Sequence, residues 1–452
     1  CLNNLALTYQ ELGNHAAAEQ LLRQVIEIQR QTGGENNPDL AVSLNNQALE
    51  YAQKGNYDAA LPLYQQVLEI HRQTVGENHP HFAGTLSNLA GLYKSMGNYT
   101  TALPFYQQAL EIQQRVLGKT HHDSIITFNK IANLYETIGN YAAAESLFQQ
   151  IREIELQTLG ENHLNFATTL SNLARLYYKT GKYTAAEPLY LKILEIRRQN
   201  LGEDHSEYAE ALNNLALIYE KMGNHAAAEL PYKQVLKILQ KTVGENHASY
   251  ASALNNLAML YYTMGYYIKA LPLCQKAMEI TRAALGENNS IFIGILNNLA
   301  ALNHKMGNYR AALPLYQQIL VIQHQSQENQ LEFAACLINL AALYQDMGNY
   351  KAAQPLLQQA IEIQQRVLGK NHHNLADSLN NLAALHFAQM NLAAAKPLLQ
   401  QALEIRRTLG ENYPEYAQSL YNLAHLYHRM GNYTEAESLL CQAISVWRTA
   451  LG

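Results

Sequence analysis

Apolar and polar positions fall into a pattern that returns about every 42 residues. In Leu212-Asn213-Asn214-Leu215-Ala216-Leu217-Ile218-Tyr219, the residues Leu212, Leu215, Ala216 and Tyr219 stand at i, i+3, i+4 and i+7. At 100° per residue these four make one apolar stripe of a helix. A break at Gly223-Asn224 follows, then a second helix from about Ala226 to Leu239 with its stripe at Ala228, Tyr232, Val235 and Leu236. A further break of the form Leu-Gly-Glu-Asn-His, as at Leu159 to His163, leads into the next copy.

Eleven copies open at Leu2, Leu44, Leu86, Phe128, Leu170, Leu212, Leu254, Leu296, Leu337, Leu379 and Leu420; eight intervals are 42 residues and two are 41. A period of this size predicts a solenoid of helical hairpins, all-α, each hairpin too small to bury its apolar face without its neighbours. The array is expected to run continuously over 1–452. Its first repeat is truncated at the N-terminus, and the chain is read as a piece of a longer protein.

The turn glycine recurs at Gly13, Gly55, Gly97, Gly139, Gly181, Gly223, Gly265, Gly307, Gly348 and Gly431, with Met390 in its place once. Alanine stands early in the second helix of every copy, as at Ala60, Ala102 and Ala144, where a methyl group lets two helices approach closely. Pro62, Pro104, Pro188, Pro272, Pro314, Pro355 and Pro397 also fall there. They are expected within the first helical turn, where a missing N–H costs little.

Irregular repeats span about 296–410. The linker Gln323 to Gln330 lacks Leu-Gly and one residue, Asn303 and His386 replace the stripe tyrosine, and Met390 replaces the glycine. A local change of pitch or simple drift accounts for them equally well.

The motif Leu-x-x-Leu-Ala-x-x-Tyr-x-x-x-Gly-x-Tyr-x-x-Ala-x-x-x-Tyr, complete at Leu86 to Tyr106 and Leu170 to Tyr190, resembles the tetratricopeptide repeat. The 42-residue period resembles the long subclass found in kinesin light chains and in bacterial signalling arrays. The resemblance covers the whole chain. It implies a right-handed superhelix whose first helices line a concave groove for extended peptides or partner domains, with the recurring Asn gripping ligand backbone. The heptad segment by which kinesin light chains join their motor is not in the chain.

The residues lead to the same face. Positions −2, +2, +5 and +9 from the opening Leu lie opposite the apolar stripe of the first helix. At +2 stand Asn4, Asn46, Asn88, Asn172, Asn214, Asn256, Asn298, Asn339, Asn381 and Asn422, with Lys130 in the fourth repeat. Asn is a mediocre helix former, so its return in mid-helix needs a compensating use. Two uses fit: donors and acceptors for a peptide backbone, or bonds that hold the repeats in register. Direct Asn-to-Asn contact between first helices roughly 10 Å apart is judged too long, which argues against a ladder.

The +5 and +9 positions vary. Lys130, Arg175, Lys179 and Lys221 make an expected positive section in repeats four to six, partly offset by Glu210, that suits an acidic peptide. The 30 tyrosines mostly hold stripe positions, such as Tyr51, Tyr93, Tyr135, Tyr177 and Tyr261, and are read as packing. Tyr262, Tyr266 and Tyr421 fall outside that set and are candidates for contacts. Trp447, the one tryptophan, takes the place that Arg406 holds in the preceding repeat, where it covers the end of the stack or meets a further domain.

Composition narrows the classes. Charged residues are 15% and the formal charge is −5 with no basic block, a poor match to nucleic acid. Cys1, Cys274, Cys336 and Cys441 are too scattered for a disulfide framework or a zinc site, which favours a reducing, cytoplasmic setting. His121-His122 and His372-His373 lack a third ligand at metal spacing. No apolar run approaches a membrane span, and no membrane partner or cofactor is expected. The chain carries no phosphate-binding loop, His-Glu-x-x-His or nucleophile elbow.

The expected function is a non-enzymatic scaffold that holds an extended peptide or partner domain in its groove. The alternative is the sensing or autoinhibitory arm of a larger signalling enzyme, such as a caspase-like protease or a nucleotide-switch protein.

Overall fold

The computed structural model describes residues 2–12, 14–326, 330–410 and 414–451. Expectations for Cys1, Gly13, the middle of the Gln323 to Gln330 linker, the side chain of Glu11 and Gly452 lie outside the described residues. Helices account for both halves of all eleven repeats, 22 in total, and no strand occurs among the described residues. The chain divides into two units, Cys1–Asn224 and His225–Gly452, with the boundary inside repeat six. In each, every helix packs on the next in the chain, and first helices also touch those of the following repeat.

Packing within unit 1 shows why one hairpin is not enough. Ala48, Ala60 and Tyr64 of repeat two form a shallow apolar seat, and Leu89 and Leu92 of repeat three close it. Repeat three offers the same seat with Ala90, Ala102 and Tyr106, closed by Ile131 and Leu134 of repeat four. The +6 residues Leu92, Leu134, Leu176 and, in unit 2, Leu260 are 2% exposed or less, although they lie off the stripe read from sequence. Each buried leucine contributes about 1.5–3 kcal/mol, and all of it depends on the neighbouring repeat.

In repeat two the turn inside the hairpin closes one helix and opens the next with one residue. Gly55 takes φ 74°, a left-handed conformation open to glycine. The Asn56 N–H then reaches back to the Tyr51 carbonyl at 2.8 Å, while its side chain accepts from the Ala59 N–H at 3.3 Å. Asn98, Asn140, Asn349 and Asn391 repeat the double role. Met390 adopts φ 61° without being glycine.

One expectation changes. Pro62 is the sixth residue of the helix Tyr57–Thr74, and Pro104, Pro188, Pro272, Pro314, Pro355 and Pro397 sit at the same depth, so they lie inside the helix and not in its first turn. Each deletes a hydrogen bond that a helix would ordinarily make there. The histidine of Leu-Gly-Glu-Asn-His opens the next helix. His79, His121, His163, His205, His247 and His372 are N-caps whose Nδ1 accepts the N–H two residues on, at 3.1–3.2 Å. Each cap therefore needs a neutral ring with its proton on Nε2.

Candidate functional site

The first-helix positions read as open are exposed or half-buried throughout the described residues, with Val42, Ile126, Lys179, Lys305 and Arg429 among the exposed ones. The +2 asparagines are mostly half-buried; Asn4 and Asn381 are exposed. What these amides touch corrects the expectation that no ladder forms. Asn88 Nδ2 donates to Asn45 Oδ1 at 2.9 Å, and Asn172 donates to Asn129 at 3.4 Å. In unit 2, Asn298 donates to Asn255 at 3.0 Å and Asn339 to Asn297 at 3.1 Å. The +2 residue of one repeat meets the +1 residue of the repeat before it. Successive residues point 100° apart around a helix, so two amides reaching toward each other cross a gap that one cannot.

Lys130, the one departure from Asn, keeps the same geometry: its Nζ donates to Ser87 Oγ at 2.9 Å. Burial pushes the Lys130 amine below its ordinary pKa. The ladder is interrupted beyond repeat nine. Ile338 takes the +1 place of repeat nine, Asn422 turns to Gln418 at 3.0 Å, and Asn380 Oδ1 is buried without a partner.

The expected positive section is largely neutralised. Arg175 and Lys179 both hold Glu136 Oε1, at 2.5 Å and 2.7 Å, and Arg175 also donates to Asn133 at 3.0 Å. Glu136 stands at +8 of the preceding repeat with its side chain 3% exposed. Glu210, expected to offset the section, lies beside Arg197 instead, at 3.5 Å. Lys221, at the end of unit 1, is exposed.

Two cavities open on this face of unit 1. One of about 630 Å³ crosses the first helices of repeats two to four, past Val42, Asn45, Asn88, Gln113, Ile126 and Lys130. A second of about 240 Å³ brings together Asn172, Arg175, Tyr178, Glu210 and Asn214. Of the residues singled out from sequence, Asn88 and Lys130 share the first cavity and Asn172, Arg175 and Asn214 the second. Asn46 and Asn256 are half-buried on the same helix face without lining either.

Stripe tyrosines also tie repeats together. Tyr51 donates to Glu19 at 3.3 Å, Tyr177 to Glu145 at 3.1 Å and Tyr261 to Glu229 at 2.8 Å, each reaching the second helix of the preceding repeat. The tyrosines of the second helices are sealed inside, and burial pushes the Tyr64, Tyr106 and Tyr190 hydroxyls up to about 12. Tyr262 packs against Tyr267 with the rings tilted by 52° and centroids 5.6 Å apart, Tyr266 is 49% exposed, and the Tyr421 ring centroid lies 6.1 Å from that of Trp447. Among the described residues, no group of three or more His, Cys, Asp or Glu side chains is placed to hold a metal ion.

Missed from sequence were the +1 asparagines, Glu136 and the histidine caps. The Asn-Asn doublet of repeats such as Asn213-Asn214 was the available signal for the first.

Comparison with known proteins agrees with this architecture. The tetratricopeptide repeat profile matches residues 1–73, 81–157, 165–241, 249–325, 332–408 and 376–449, and a second tetratricopeptide profile matches 45–115. A search of curated sequences returned no significant match. Among solved structures, BtubC (BKLC) from P. vanneervenii is 24% identical over 51% of this chain and 91% of its own, with a TM-score of 0.44. A putative kinesin light chain from Podosopora anserina with nearly identical repeats is 26% identical over 46% and 97%, with a TM-score of 0.42. The apo form of RapI is 17% identical over 63% and 98%, with a TM-score of 0.50.

Proposed function

The chain belongs to the tetratricopeptide repeat family, and from that premise we propose that it is a non-enzymatic scaffold binding an extended peptide along its first helices. The observation that carries this reading is the 630 Å³ cavity, which crosses three successive repeats and runs beside the amide ladder. In a ladder bond one amide gives one N–H and its partner one oxygen, as Asn88 and Asn45 do. The second N–H and the other oxygen of such a pair are left to meet the alternating N–H and C=O groups of an extended chain. Half-burial of these side chains supports both uses at once: enough shelter to strengthen a hydrogen bond, enough access for a ligand.

An acidic segment fits this face through Lys130. Its amine holds Ser87 and sits in the cavity wall, whereas Arg175 and Lys179 already share Glu136. A partner carboxylate would offset, by charge attraction, the desolvation that now disfavours the lysine charge.

The test is a pull-down with the full chain against the variant Asn45→Ala/Asn88→Ala/Lys130→Ala, eluates compared by mass spectrometry, with melting temperatures measured alongside. Partners lost from the variant while it stays folded at the assay temperature support the reading. The same partners recovered from a variant with a lowered melting temperature would reduce these residues to holding register.

A further inference from the structure

The two units differ along the edge formed by the turns inside each hairpin. In unit 1 three turn lysines, Lys54, Lys179 and Lys182, are tied to carboxylates, while Lys94 is half-buried and the exposed Lys221 forms no ion pair among the described residues. Lys54 holds Glu19 at 2.7 Å and Glu50 at 3.2 Å, Lys179 holds Glu136 at 2.7 Å, and Lys182 holds Glu145 at 2.7 Å. In unit 2 the turns of repeats seven, eight and nine carry Lys269, Lys305, Arg310 and Lys351, all exposed. None of these four forms an ion pair among the described residues. The one carboxylate of those turns, Asp346, is engaged with His304 at 2.8 Å, a bond that also links the turns of repeats eight and nine. Glu229, the acid whose charge bears on Lys269, is already held by Lys233 at 2.6 Å and Tyr261 at 2.8 Å.

Large apolar side chains project among these cations. Ile268 is 84% exposed, Tyr266 49% and Met347 42%. The fold gives up a helix cap to place Tyr266. The residue stands where Asn56, Asn98, Asn140, Asn349 and Asn391 cap their second helices, and it makes no side-chain cap bond. Lys182 also lacks the cap bond, but it returns the ion pair to Glu145 and lies 5.5 Å from the Tyr177 ring centroid. Tyr266 has no comparable bond to another repeat; its ring is covered by Lys269 of the same turn, 5.0 Å from the centroid.

We propose that this edge of unit 2 docks on the surface of an anionic lipid bilayer, with Ile268 and Tyr266 entering the headgroup region and Lys269, Lys305, Arg310 and Lys351 facing its charge. Tyrosine suits that boundary because its ring is apolar and its hydroxyl is wet. A nucleic acid would engage the cations and leave Ile268 in water. Four exposed cations without ion pairs, spread over three turns, suit a diffuse negative surface better than the fixed charge pattern of one folded protein. No helix among the described residues is long and apolar enough to cross a membrane. The expectation of no membrane partner rested on spanning segments, and a surface contact needs none. The proposal does not rest on the peptide-binding reading; the two share Lys305, the +9 residue of repeat eight, and no residue of the cavity that carries that reading.

Co-sedimentation of the full chain with vesicles of phosphatidylserine and phosphatidylcholine, against phosphatidylcholine alone, tests it. Binding is expected only with phosphatidylserine and is expected to fall steeply with salt. Each cation near such a surface strengthens binding about fivefold, so the variant K269Q/K305Q/R310Q/K351Q should lose more than about a hundredfold. Tyr266→Asn with Ile268→Thr should weaken vesicle binding while raising the melting temperature, because the Asn cap is restored. Lys182→Gln should leave vesicle binding unchanged. Equal sedimentation with both vesicle types, no sedimentation with either, or full binding by the four-charge variant would overturn the proposal. So would single-stranded RNA that displaces the vesicles and binds the Tyr266→Asn/Ile268→Thr variant as tightly as the parent.

Discussion

Asn88 donates to Asn45 across 2.9 Å although 43 residues separate them, so the bond measures the offset of one repeat against the next. A one-residue slip would carry Asn88 about 100° around its helix and break it. Removing either amide should cost about 1 kcal/mol in urea or guanidinium unfolding, the usual net value of one hydrogen bond. The double variant Asn45→Ala/Asn88→Ala should then cost less than the sum of the singles. Strict additivity would show that the two side chains do not act on each other.

Glu136 is the hinge of the charge arrangement in unit 1. Its side chain is 3% exposed, while those of Arg175 and Lys179 are 42% and 50% exposed. Glu136→Ala should destabilise by about 1–2 kcal/mol, less than a fully buried pair because water screens both cations. Lys179→Gln should cost a few tenths of a kcal/mol. Thermal unfolding of the two variants side by side checks the order.

Met390 holds φ 61° with its side chain at a position 65% exposed. A left-handed conformation costs an ordinary residue about 1–2 kcal/mol, and little packing is there to be lost. Met390→Gly should therefore stabilise the chain, by about 1 kcal/mol or less once glycine's greater freedom in the unfolded chain is counted. A lowered melting temperature in that variant would contradict the strain argument.

His71 gives the fold a pH limit. The Thr85 hydroxyl donates to the His81 carbonyl at 3.1 Å, so its oxygen accepts from His71 Nδ1 at 3.2 Å. Burial, and then the charges of His81 and His79, hold the His71 pKa below the ordinary histidine value. Burial and His373 do the same to His372, whose Nδ1 caps a helix at 3.2 Å. For a base with a depressed folded pKa, the unfolded chain takes up protons first as pH falls. Stability is then full above the unfolded pKa and declines below about pH 6.5. Melting temperature should be level near pH 7–8 and fall toward pH 5, and His71→Gln should reduce the slope.

The array was legible in the sequence because one constraint is stated eleven times. An apolar stripe at i, i+3, i+4 and i+7, a turn glycine and an alanine early in the second helix recur with a fixed period, and each is dictated within a single hairpin. Hence the two helices of each repeat, their shared turn and the open face of the first helix could all be placed from residues a few positions apart.

What one repeat does to the next could not be read that way. The +6 leucines, the pairing of +1 with +2 asparagines, the reach of Tyr177 to Glu145 and the capture of Arg175 and Lys179 by Glu136 all join residues about 30 to 43 positions apart. Their geometry depends on the offset between stacked hairpins, a quantity set by the packing of whole helices. Sequence determined which side chains look outward. Only the tertiary structure decided which of those are already answered by a neighbour, and so which stay free to meet something else.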